Sequence, residues 1–129
     1  MKNVVLLLIT LCSFSLTNAQ TSAPKTHKVF CELLGTAKFL SAKINVQIDF
    51  GQNPYKDKRI IDENGKTKTF NSMVDAMNFM GELGWEFEQA YVVTVGNQNV
   101  YHWLLSKNLS ENETINTGIQ TKDDLKKND

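Results

Sequence analysis

The 129-residue sequence predicts an α+β domain of order ββαββ, a four-stranded, mainly antiparallel sheet with one helix packed on one face. Three observations carry that expectation: an unbroken apolar–polar alternation over residues 42–50, one helically spaced segment from Ser72 to Leu83 closed by Gly84, and two β-rich runs flanking Gly96-Asn97-Gln98-Asn99.

The chain begins Met1-Lys2-Asn3, continues apolar from Val4 to Leu11 except for Thr10, and reaches the small or modest residues Thr17-Asn18-Ala19. These are the three parts of a secretory signal peptide over residues 1–19, with cleavage after Ala19. A retained anchor is the alternative, but a spanning helix needs roughly 18 apolar residues, and Ser13, Ser15, Thr17 and Asn18 interrupt the run. Lipidation at Cys12 would need a small residue before it, and Leu11 argues against that. The expected destination is the periplasm, the cell surface or the exterior, with no transmembrane span after cleavage. Cys31 is then the one thiol left, so the domain holds without an internal disulfide.

Residues 20–26 are polar, contain Pro24 and read as a linker to a single domain over 27–107. Lys28 to Leu34 is rich in β-formers and stops at Gly35, giving the first strand. Ala42, Ile44, Val46, Ile48 and Phe50 alternate with polar residues in the second, and the short intervening loop suggests antiparallel pairing. Residues 56–69 are charged and centred on Asp62-Glu63-Asn64-Gly65, a tight turn within a small ribbon. Ser72 with Asp75 resembles a capping box, and Met73, Ala76, Met77, Met80 and Leu83 share the helix face expected to pack on the sheet. Trp85 to Val95 and Val100 to Ser106 form the second hairpin. Residues 108–129 lose aromatics and periodicity and read as a polar, disordered or loosely attached tail.

The passage from Phe70 through Gly84-Trp85-Glu86 to Val93, together with Val100-Tyr101-His102-Trp103, resembles small secreted bacterial proteins of a domain-of-unknown-function group, over residues 27–107. The resemblance implies a helix end leading into a β-hairpin. It implies no activity and no catalytic residue. Physically, Gly84 lets the chain leave the helix with positive φ, Trp85 caps the helix–sheet corner and Glu86 returns to solvent.

Fourteen basic residues balance fourteen acidic ones without a basic run, which argues against nucleic acid and against a polybasic membrane surface. No nucleophile elbow, phosphate loop, dinucleotide glycine pattern or zinc-ligand spacing is present, so no cofactor or metal is expected and an enzyme is the less favoured class. The residual chemical candidates are His27, Cys31, Glu86, Glu88 and His102. Cys31 and His102 would meet only if the first and last strands were neighbours.

Both faces of the second hairpin are partly apolar, while one helix covers only one face of the sheet. The expected interaction surface is Ala90, Val92, Val100, His102 and Leu104, covered by a homodimer or a protein partner, by the 56–69 ribbon or by the tail. The expectation is therefore an exported, non-enzymatic binding or accessory module acting through its sheet. The alternative is a small enzyme or small-ligand carrier using His102 or Cys31.

Overall fold

A computed structural model describes residues 24–38 and 40–126. At its centre lies β1 (Thr26–Ala37), flanked on one side by β2 (Ile44–Asp49) and on the other by β5 (Gln98–Ser110). The short β3 (Thr69–Phe70) lies outside β2 and β4 (Glu86–Val95) outside β5, so the order is β3-β2-β1-β5-β4, antiparallel throughout. The α+β class holds. The sheet has five strands rather than four, because Thr69 and Phe70 pair with Asn45 and Ile44 in a ladder too short to show as a period.

Helix α1 (Met73–Glu82) lies where the spacing places it. Ser72 Oγ accepts from the Asp75 N–H at 3.1 Å, while the Asp75 carboxylate takes the N–H of Asn71, one residue before the cap. Gly84 ends the helix at φ 83°, and Trp85 then turns into the core at 2% exposure. Met73, Ala76 and Met80 are buried against Leu33, Val46 and Ile48, with Ile60, Phe70, Leu105 and Ile119 completing the core. Burying a side chain such as Met80 contributes about 1.5–3 kcal/mol.

Gly35 does not stop β1. The strand runs through it to Ala37, and Gly35 is where the first turn of α1 comes closest: a Cβ built there would lie 2.1 Å from Met73 Sδ. The missing side chain marks a helix contact rather than a strand end.

Residues 108–126 are not a loose tail. β5 continues to Ser110, Leu109 and Ile119 are buried, and the main chain of 120–123 bonds to that of 57–61 through Ile61 N–H to Gln120 O, Lys122 N–H to Arg59 O and Asp123 N–H to Asp57 O. Helix α2 (Lys122–Leu125) follows, its Asp124 carboxylate accepting from Thr121 N–H and Oγ1. Composition misjudged this segment because its attachment is mostly main chain, with Ile119 as the apolar anchor. The leader over residues 1–19, with Cys12, and residues 20–23 of the linker lie outside the described residues.

Residues 58–60 run beside β2, with Ile48 N–H donating to Lys58 O and Ile60 N–H to Val46 O. The ribbon around Gly65 (φ 72°) therefore extends the sheet past β2 instead of folding over its second face. Neither that ribbon nor the C-terminal segment covers the face opposite α1.

Candidate functional site

Pairing assigns every strand residue to a face. Cys31, Leu33, Val46, Ile48, Trp103 and Leu105 point toward α1. Phe30, Glu32, Leu34, Val100, His102, Leu104 and Ser106 point the other way, onto an open face. A bulge between Phe87 and Gln89 shifts the alternation of β4. Phe87 therefore packs edge-on against Trp103 on the helix side at 5.3 Å between ring centroids, whereas Tyr91 and Val93 join the open face opposite His102 and Val100.

The five residues expected to share one surface divide between two. Ala90 and Val92 lie opposite Trp103 and Tyr101 on the helix side; Val100, His102 and Leu104 lie on the open face. The cause is the two-residue turn Gly96-Asn97, which sets Val95 against Gln98 so that even-numbered β4 residues oppose odd-numbered β5 residues. Cys31 and His102 are on neighbouring strands, as their meeting required, but on opposite faces, Cys31 beside Leu105 and His102 beside Leu34. Burial pushes the Cys31 thiol up to about 12, the reverse of an activated nucleophile. His27 and Glu86 are exposed strand residues.

The open face carries two polar clusters set in apolar surface. In the first, His102 Nδ1 lies 3.2 Å from Glu32 Oε1, Tyr91 Oη donates to the same oxygen at 2.8 Å, and the Tyr91 and His102 rings stack at 4.7 Å and 8°. The hydrogen bond that the Tyr91 hydroxyl donates to Glu32 holds its proton and raises its pKa, and burial and the like charge that ionisation would create act in the same direction. In the second, Glu88 accepts from Lys28 Nζ and Ser106 Oγ, and these bonds lower the Glu88 pKa. Around them lie Phe30, Leu34, Val93, Val100 and Leu104. A carboxylate held between a tyrosine hydroxyl and an imidazole is a fixed hydrogen-bonding anchor beside the apolar Leu34, Val93 and Val100, with the polar Asn45, Gln47 and Asp49 of β2 along the far side of the face. Apolar area with polar anchors and a polar rim is how binding surfaces gain specificity.

Sequence reasoning found His102 and Glu88 but not Glu32, Tyr91, Phe30 or Leu34. The signal for Glu32 was present: it sits between Phe30 and Leu34 at strand spacing, a charge among apolar residues on the face away from Cys31 and Leu33.

A cleft of about 330 Å³ lies between Phe50, Gln52 and the C-terminal segment, bridged by the Lys56–Asp123 ion pair at 3.2 Å. It is at the small end of ligand sites. Among the described residues no cluster of three or more metal-ligating side chains occurs, and no helix is long and apolar enough to cross a membrane. The chain matches no family model, no curated protein and no solved structure.

Proposed function

We propose that the protein is an exported, non-enzymatic binding or accessory module that engages a protein partner through the open face of its sheet. The observation that supports this reading best is the anchor of Glu32, Tyr91 and His102, set beside apolar side chains on a face that no described segment covers. On that face Phe30, Tyr91, Val93 and Val95 are between 42% and 64% exposed. Exposed apolar area of that extent, rimmed by polar groups, is characteristic of an interaction site. Export is proposed on the leader pattern of residues 1–19.

The test is a photo-crosslinking residue at Leu34 or Val100 in the expressing cell, with Asn78 on the exposed side of α1 as the comparison position. Discrete adducts at the first two and none at Asn78 support the reading. Equal labelling at all three, or none, refutes it. Fractionation of the same cells reads export independently.

A small enzyme or ligand carrier is the second reading, favoured by one observation: Glu32 orients the His102 ring through Nδ1, as the partner of a general base does. Under it, His102→Gln abolishes turnover or small-ligand binding while leaving the fold intact.

A further inference from the structure

β4 is exposed along its whole length, and among the described residues none hydrogen-bonds to its outer main chain. Natural sheets guard such an edge with lysine, proline, an inward charge or a bulge. Here the guards stop at the bulge: Glu86 and Glu88 are the strand's two charges, and Gln89-Ala90-Tyr91-Val92-Val93-Thr94-Val95 holds no charge and no proline. That composition is what pairs strand to strand between chains.

The opposite edge is closed. β3 is two residues long, residues 58–60 bond to β2, and residues 120–122 bond to the outer side of 59–61. The sheet therefore has one adhesive edge.

We infer that β4 pairs antiparallel with β4 of a second copy about a twofold axis near Tyr91, joining the two sheets into one. This deepens the reading of the sheet as a binding surface by naming one partner, and rests on it to that extent.

Charge distribution selects this arrangement. With the axis at Ala90, Glu86 and Glu88 of one copy face Thr94 and Val92 of the other; with it at Tyr91 they face Gly96 and Thr94; with it at Val92, Glu88 faces Gly96 and Glu86 lies beyond the end of the partner's strand, so no charge is opposed in any of the three. Parallel in-register pairing would stack each glutamate on its own copy, and like charges opposed across strands destabilise. Antiparallel pairing also closes, because it consumes both free edges and leaves only the two blunted β3 edges. Since the twofold axis stands perpendicular to the sheet, both Glu32–Tyr91–His102 anchors face the same way on one continuous surface.

The experiment uses the whole chain as its expressing cells process it, with Cys31 buried and the wild type as the thiol reference. Sedimentation across the micromolar range should show a dimer. Among Ala90→Cys, Tyr91→Cys and Val92→Cys, the one on the axis should form a self-disulfide, because directly opposed strand residues lie within disulfide reach. Val95→Cys should not, since the two copies place it at opposite ends of the ladder.

Val92→Lys with Thr94→Lys, both on the helix side of the edge strand, should weaken the dimer at least tenfold without changing circular dichroism, and Leu34→Lys should leave it intact. A monomer at every concentration overturns the inference, as does a β4 cysteine crosslinked to a foreign chain. If Leu34→Lys breaks the dimer and the lysine pair does not, copies associate through the open face. That overturns edge pairing while the proposed function stands. An edge dimer whose open face yields no adduct fails the proposed function and leaves the edge pairing.

Discussion

Gly35→Ala is the sharpest test of how α1 sits on the sheet. The new Cβ would lie 2.1 Å from Met73 Sδ and 3.3 Å from its Cε, so the methionine must leave its site or the first helical turn must lift. Overpacking a core costs about 1–3 kcal/mol. Replacing glycine in an ordinary extended conformation returns about 0.4–1 kcal/mol through the unfolded chain, and a thioether adapts more readily than main chain. The net expectation is a loss of about 1 kcal/mol, visible as a fall of about 4–8 °C in Tm for a domain of this size. Gly35→Val, which adds two further methyl groups at the same contact, should cost several times as much. In Met73→Ala the space is already open, so adding Gly35→Ala there should cost nothing or stabilise. The assay is thermal and urea unfolding of wild type, Gly35→Ala, Met73→Ala and their double as a cycle, with Gly35→Val measured beside it. Unchanged stability in Gly35→Ala, or equal effects with and without Met73, would refute the close approach.

Three other outcomes follow from the same core and its margins. Cys31 should resist alkylation until the protein unfolds. Its folded pKa of about 12 lies above the ordinary 9.0, so the unfolded chain releases a proton that the folded one keeps; wild type should lose stability relative to Cys31→Ala as pH rises from 9 toward 12. Ile119→Ala should cost about 2–5 kcal/mol in urea unfolding, whereas a loosely attached tail would cost nothing. Ser72→Ala, which removes the acceptor for the Asp75 N–H, should cost about 1 kcal/mol, read as a lowered urea midpoint with unchanged slope.

Features written in neighbouring residues were legible before any coordinates. The alternation from Ile44 to Asp49 and the helix between Ser72 and Gly84 depend on short-range periodicity, a cap and a positive φ, and they stand where those signals put them. What escaped depends on pairing across the chain. β3 exists because Thr69 and Phe70 meet β2, and Ile119 is core because Gln120 and Lys122 bond to residues 59–61. The candidate site escaped for the same reason: Glu32, Tyr91 and His102 belong to three strands, and their meeting needs the β1–β5 register and the bulge before Gln89. Period two reports that a residue faces one side of a strand, but not which side of the finished sheet that is.

The register of β1 also governs when the fold can form. Thr26 pairs with Ser110 and Cys31 with Leu105, so the central strand meets its longest neighbour only after nearly all the intervening chain has been made. Sheets built from such distant pairings form slowly, and synthesis delivers the N-terminal half first. A chain made only as far as Glu82 holds β1, β2 and α1 but lacks the strand that completes β1, so it stays open and threadable. If the chain is exported as proposed, passage through a translocation channel would require that state, and the topology would supply it.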